Sequence, residues 1–546
     1  MLILLATLLR LAVLSEAKLR TCKARNLPAI DVFGLEVLDV SARAQHGYPE
    51  ASRDVPVDAE PIDFCNVTIT YTHPGQNDTI NAYIWLPFDH WNGKLLGQGG
   101  GAWASGDEAS LAASVALGYA GTTSDSGHSI FGDVQDVAVN AEKWALLSPG
   151  NMNWALVQDF AARALDDLPK IAKQIVKGFY GEAPSYSYWN GCSTGGRQGL
   201  MSAQRFPGNY DGILAVAPAI SWASLAAVAF WPQVVMQREK YWPPACELEA
   251  IRQAAVKSCD EIDGVKDGII AAPGLCLFNA NTIVGSTFDC EGAKRNITAA
   301  AARIANAIWG GPVRTMNGQR EWYGITHGTS FGGSGPYGVF DGLATTTCAD
   351  GNDNCHGNPF PVSATWIQYF IEKDPDYDVT QMSEDDFFRA LHRSRNEYGS
   401  IMDTSDPDLS EFKALGGKIV HWHGLADQLI SPNGSSSYYS RVLALDPEAR
   451  DFYRYFEAPG VKHCAGGIGA FPGNALEALV NWVENGAVPE RLEAASIPAG
   501  EGEKIRERVL CPWPLVAAFK GGDVDAAGSY ECEEVFGQAR GLHTEL

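Results

Sequence analysis

Basic residues are scarce in this 546-residue sequence: 41 lysines and arginines stand against 65 aspartates and glutamates, a net charge of −24. A surface of that sign repels phosphate backbones and anionic lipid headgroups, so neither nucleic acid nor a membrane surface is an expected partner. Long apolar runs are missing too, none approaching the ~20 residues that cross a bilayer. No two of the twelve cysteines have the C-x-x-C spacing of a zinc site. No Gly-Lys-Ser/Thr follows the glycine run at Gly97–Gly101, which removes a P-loop, and no organic cofactor is expected. What is present, 46% apolar against 19% charged residues, suits a chain that buries a large core. The length exceeds one typical compact unit, so a large domain with an insertion, or two domains, is expected.

The run Leu2–Leu14 is short and ends near small residues at Ser15-Glu16-Ala17, which reads as a secretory signal peptide over residues 1–17. Four N-x-Ser/Thr sequons, at Asn66, Asn77, Asn296 and Asn433, fit that secreted, extracellular route. In an oxidising compartment an even cysteine count reads as disulfides rather than metal ligands.

β-Branched and aromatic alternation predicts strands from Asp63 to Leu86, and strand-like segments recur at Tyr186–Asn190, Gly212–Val216, Lys418–Trp422 and Phe452–Phe456. Helical periodicity falls at Ala109–Leu117, Trp154–Lys177 and after Gly195. Strands alternating with helices imply an α/β fold with a mainly parallel sheet covered on both faces. From 224 to 400 the rhythm gives way to Pro243-Pro244, six cysteines and a loop-rich stretch. This segment is read as a lid inserted into a catalytic domain made of residues 18–223 and 401–546.

Two G-x-S-x-G pentapeptides occur, around Ser193 and Ser330. A nucleophile elbow needs a strand before the serine and a helix after it, so that Oγ projects above the sheet. Ser193 has both; Ser330 lies among Gly, Thr and Pro and reads as a loop residue. The expected fold is therefore the α/β-hydrolase, whose triad runs nucleophile, acid, histidine along the chain. Of eleven histidines only His463 and His543 follow any acid loop, and His543 sits at the C-terminus, so His463 is the candidate base. Asp427 lies just past the strand Lys418–Trp422, where such sheets place their chemistry, with Asp446 and Glu457 as rivals. His423 reads as packing at that strand's end. Thr194 N–H and the run Gly99-Gly100-Gly101-Ala102 are candidate oxyanion donors, Gly100 and Gly101 before all.

Cys192-Ser193 in Gly-Cys-Ser-Thr-Gly-Gly, Asp427 in His-Gly-x-x-Asp, and His463-Cys464 together resemble the tannase/feruloyl esterase family of secreted carboxylesterases. The resemblance spans nearly the whole chain after residue 17. It implies a serine esterase working through an acyl-enzyme on phenolic acid esters, first feruloyl or cinnamoyl esters of plant cell-wall polysaccharides. Galloyl esters, a non-catalytic extracellular relative and a serine carboxypeptidase are the alternatives. It implies a Cys192–Cys464 disulfide and, from proximity and family pattern, Cys22–Cys65, Cys246–Cys290, Cys259–Cys276, Cys348–Cys355 and Cys511–Cys532. Three carboxylates spaced around glycines at 260–268 suit a hard cation. By resemblance they are a structural calcium site built from Asp260, Asp263 and Asp267 with the carbonyls of Val265 and Ile269. Trp242, Trp309, Trp322, Tyr323, Tyr337 and Phe340 of the lid are candidates for a ring pocket. Thr122–His128 also matches a family stretch without an assignable role. Lys294-Arg295, where some relatives are processed, reads as a solvated pair. The sequence assigns no oligomeric state.

Overall fold

The computed structural model describes residues 21–49, 61–128, 141–315, 317–332, 340–498 and 504–534. The expected signal peptide, Tyr337 and His543 lie outside them. Nine strands form one sheet: β1 (Glu36–Tyr48), β2 (Ile62–Thr72), β3 (Ile80–Pro87), β4 (Lys94–Gln98), β5 (Ala120–Ser124), β6 (Tyr186–Cys192), β7 (Gly212–Val216), β8 (Lys418–Gly424) and β9 (Tyr453–Ala458). Their order is β1-β2-β3-β5-β4-β6-β7-β8-β9. Pairing is parallel from β5 through β9, and antiparallel between β1 and β2, β2 and β3, and β3 and β5. Five of the eight pairings are parallel, so the sheet is mainly parallel as expected, with an antiparallel β1-β2-β3 end.

Period-2 alternation assigns each strand's side chains to two cores. Along β3, Ile80, Ala82, Ile84 and Leu86 face one core, while Tyr83 and Trp85 face another. The first is closed by helices α2 (Ala164–Tyr180) and α3 (Thr194–Arg205); the opposite face is covered by α1 (Glu108–Ala116) and α10 (Ala475–Asn485). β1 escapes the sequence pattern because it is an edge strand with no buried residue, so nothing forces its polar and apolar positions to alternate.

After β7 the chain leaves the sheet at Val216 and returns at Lys418. In between come α4 (Trp222–Val228), α5 (Trp231–Glu239), α6 (Ala245–Cys259), α7 (Ala299–Gly310), two small hairpins and α8 (Glu384–Met402). The expected lid limits at 224 and 400 cut through α4 and α8, two helices that pack on each other. The lid also shares one hydrophobic cluster with Trp103, Trp144 and Phe160 of the sheet domain. It is therefore packed onto the sheet and not tethered beside it. All six disulfides join the expected partners. Arg295 forms a bidentate pair with Asp353 of the neighbouring hairpin, so it is engaged and not merely solvated.

The sequons differ in access. Asn66 sits on β2 between β1 and β3 with its Oδ1 buried, whereas Asn77 and Asn296 are exposed. Peptide mapping after enzymatic deglycosylation in heavy-oxygen water is expected to mark Asn77 and Asn296 and leave Asn66 unmodified. A glycan on Asn66 would contradict the burial of its side-chain oxygen.

Candidate active site

Strand β6 runs into Ser193, whose φ of 63° and ψ of −119° lie in a region side chains avoid, and α3 starts at the next residue. A turn this sharp lifts the serine clear of the sheet at a cost of about 1–3 kcal/mol. Its surroundings hold it. Ser193 N–H donates to Val216 O at 3.0 Å, and Ser193 O accepts from Arg197 N at 3.0 Å and Ala219 N at 3.1 Å. Gly191 is demanded by space: a Cβ there would meet the Gly195 carbonyl carbon at 2.5 Å.

Arg197, fully buried on α3, donates to the carbonyls of Phe160, Ala161 and Met402 and lies over the Phe160 and Trp222 rings. Two of these carbonyls belong to a π-helical turn, Asp159–Arg163, that interrupts the helix expected over Trp154–Lys177. The wide turn frees carbonyls, and a buried guanidinium takes them up.

Asp427 is fully buried beyond β8, and its Oδ1 accepts the N–H groups of Leu429 (2.9 Å) and Ile430 (2.8 Å). Its Oδ2 lies 2.7 Å from His463 Nδ1. Burial raises the carboxyl's pKa, but the charge of His463 and the hydrogen bonds of His423 and His463 outweigh it, so Asp427 is held well below the usual carboxylate range. The rivals are placed elsewhere: Asp446 pairs with Lys413, and Glu457 accepts from Tyr455 Oη. His423 does more than pack the strand end; its Nε2 is 3.0 Å from Asp427 Oδ2. The Cys192–Cys464 bridge, with Cα atoms 5.8 Å apart, ties the residue before Ser193 to the residue after His463. Ser330 is a loop residue whose Oγ donates to Gly332 O.

The glycine loop after β4 crosses the start of α3. Gly195 N–H donates to Gly100 O at 2.9 Å, and Thr194 Oγ donates to Ala102 O at 2.7 Å. Gly100 corrects the sequence expectation, because its N–H is spent on Gln198 Oε1 at 3.1 Å. Among the described residues the Gly101 N–H has no protein acceptor, and Thr194 opens a helix whose first N–H groups lack intrahelical partners. The loop is anchored by Trp103, buried among Trp144, Phe160, Trp222, Trp366 and Phe370. The Thr122–His128 stretch now has a structural part: Thr123 Oγ donates to Gln98 O, and His128 Nε2 reaches Trp103 O at 2.8 Å.

The family model for tannase and feruloyl esterase matches residues 65–533. The chain belongs to that family. A probable feruloyl esterase of Arthroderma benhamiae is 39% identical, with 87% of each chain covered. A tannase of Aspergillus oryzae is 29% identical over 86% of this chain and 85% of its own. Among solved structures, tannin acyl hydrolase from Aspergillus niger superposes with a TM-score of 0.84 at 27% identity, covering 96% of this chain and 97% of its own. Feruloyl esterase B from Aspergillus oryzae gives 0.76 at 25% identity, with 92% and 98% covered. The fold is accordingly the α/β-hydrolase.

Within this family member the acidic loop is bonded to itself and to the C-terminal segment. Asp260 Oδ1 accepts from Asp267 and Gly268 N–H, Asp263 Oδ1 from Val265 N–H, and Asp267 Oδ1 from Ile269 N–H. Asp267 Oδ2 pairs with Arg508 at 2.8 Å, and Val265 packs against Val509, Cys511 and Tyr530 near the C-terminus. Burial first, then the neighbouring Asp267 and Asp260, pushes Asp263 up to about 6. Crowded carboxylates of this kind suit a divalent cation, although the side-chain oxygens of the three do not all lie within 4.8 Å of one another. Of the lid aromatics, Trp309 packs on His327 and Phe331, Phe340 on Phe360, and Trp242 on the shared core. Trp322 and Tyr323 instead line a narrow apolar crevice that reaches Leu429, two residues from Asp427.

Gly191→Ala is expected to lower stability by about 1–3 kcal/mol through overpacking, with activity falling further because the Ser193 turn shifts. Thermal denaturation and turnover measured on the same preparation check this, and an unchanged melting curve would contradict the tight crossing.

Proposed function

We propose that Ser193 is the nucleophile of this carboxylic ester hydrolase, His463 its general base and Asp427 the carboxylate that orients the base. One observation carries this reading: His463 is hydrogen-bonded to a buried, ionised Asp427, and its neighbour Cys464 is disulfide-bonded to Cys192 beside the strained serine turn. His463 takes the Oγ proton as Ser193 attacks the ester carbonyl, then returns it to the leaving alcohol, giving an acyl-enzyme. Water, activated by the same imidazole, releases the acid. Thr194 and Gly101 N–H are the proposed oxyanion donors, each contributing about 3–4 kcal/mol of transition-state stabilisation.

The substrate is a phenolic acid ester, with feruloyl esters of plant cell-wall polysaccharide as the proposed class. The relative at 39% identity, named a probable feruloyl esterase, supports this over the galloyl alternative, whose named relative stands at 29%. The enzyme acts outside the cell, a reading supported by six disulfides, which persist in oxidising compartments. Among the described residues no helix is long and apolar enough to cross a membrane.

Calcium is proposed to bind the acidic loop through Asp260, Asp263 and Asp267, with the Val265 and Ile269 carbonyls. Its work there is structural: it offsets the repulsion among carboxylates and braces the lid against the C-terminal segment.

Ser193→Ala should depress hydrolysis of methyl ferulate by at least about a thousandfold without changing the fold by circular dichroism. Undiminished turnover would remove Ser193 from the mechanism. Run beside methyl gallate, the wild-type assay separates the two acyl classes. Chelation followed by dialysis is expected to lower the melting temperature, and calcium to restore it; indifference to both would exclude the ion from this loop.

A further inference from the structure

Asp427 serves two imidazoles. Its Oδ2 is 2.7 Å from His463 Nδ1 and 3.0 Å from His423 Nε2, and the same Nε2 is 3.1 Å from the carbonyl oxygen of Ile430. A carboxylate and a carbonyl only accept, so His423 carries a hydrogen on Nε2. Behind it runs a sealed chain. His423 Nδ1 meets Ser435 Oγ at 2.8 Å, Ser435 Oγ meets His421 Nε2 at 3.0 Å, and His421 Nδ1 meets Tyr453 Oη at 2.8 Å. His421 and His423 on β8, Ser435 on α9 (Pro432–Leu445) and Tyr453 on β9 are all buried.

Ser435 has one hydrogen to give, and that settles the order. With a neutral His423, Nδ1 accepts, so Ser435 donates to it and itself accepts from His421 Nε2–H. His421, kept neutral by burial, then accepts at Nδ1 from the Tyr453 hydroxyl. Every hydrogen points toward Asp427. A cationic His423 would reverse all three bonds and set a positive charge against the carboxylate that must face the His463 imidazolium. Burial of an additional charge disfavours that state.

We infer that His423, Ser435 and His421 are positioning residues that hold a neutral, Nε2-protonated imidazole on Asp427, so that the carboxylate divides its pull between two donors. This inference rests on the proposed triad. A shared carboxylate stabilises the His463 imidazolium less than an unshared one, so the base stays free to accept a proton at lower pH. The other groups facing the pair change little in this account. Gln428 Oε1 accepts from the His463 N–H, and Tyr455 packs on the His421 ring with Glu457 on its hydroxyl. Lys462, beside His463 in sequence, acts on Glu249.

The test is the acid limb of kcat/KM against pH for the wild type, His423→Leu and His423→Gln on methyl ferulate. Removing the second donor leaves Asp427 wholly to the His463 imidazolium, so the limb of His423→Leu should move to higher pH by about half to one unit, a fraction of the roughly one to two units that a whole hydrogen bond to a charged group is worth. Glutamine puts an N–H where Nε2 was, and its limb should return toward the wild-type position. An unmoved limb in the leucine variant, or an equal shift in both, overturns the inference. Should the leucine variant fail to fold, nitrogen-15 spectra of histidine-labelled wild type decide: His421 and His423 should both be neutral with the hydrogen on Nε2. Any other protonation state overturns the inference without touching the triad, whereas a wild type inert toward esters overturns the triad and with it the part given to His423.

Discussion

A serine held at positive φ is costly, and the centre of this molecule is arranged to keep it there. The turn at Ser193 lasts only if the strand before it, the helix after it and the loop beside it are fixed against one another. Gly191 and Gly195 cross at a distance no side chain could share, and Gly195 is hydrogen-bonded to the glycine loop after β4. The disulfide from Cys192 to Cys464 adds a covalent tie to the histidine loop. Strain at one residue is thus balanced by packing and bonding spread over four segments far apart in the chain.

The lid extends the same constraint outward. Trp103, beside the glycine loop, is buried against lid residues Trp366 and Phe370, so the loop cannot move without disturbing the lid core. On the other side, Phe340 O accepts from Gln428 and Thr326 Oγ donates to Leu425 O, which pins the acid loop to the lid. The acidic loop at 260–268 reaches the C-terminal strands through Asp267–Arg508. Site, lid and C-terminal segment therefore form one mechanical unit, as expected where reacting groups must hold position within fractions of an ångström.

Much of the candidate site was legible because its residues carry local signals. Ser193 lies between a strand pattern and a helix pattern, and Asp427 and His463 each follow a β-branched or aromatic run. The misses share a different cause. β1 has no fully buried residue, only half-buried positions such as Val37, Val40 and Ala42, so its alternation is weak. The π-helical turn at Asp159–Arg163 depends on a guanidinium some 35 positions away, and helical periodicity reads straight through it. Gly100 was named a donor from its place in a glycine run, yet Gln198 occupies its N–H. Nothing local to Gly100 records where Gln198 will lie.

The sequence by itself determined the class of chemistry. Residue types at fixed short spacings make the elbow, the acid loop and the cysteines beside serine and histidine recognisable, because those features are built from neighbours in the chain. Tertiary structure alone decided which N–H groups stay free of the described residues at the glycine loop and what stands behind Asp427. The run from Tyr453 through His421, Ser435 and His423 joins two strands and a helix, and hydrogen-bond direction along it exists only once those elements are side by side. A single hydroxyl proton has no direction in a sequence; it acquires one when two imidazoles close on it.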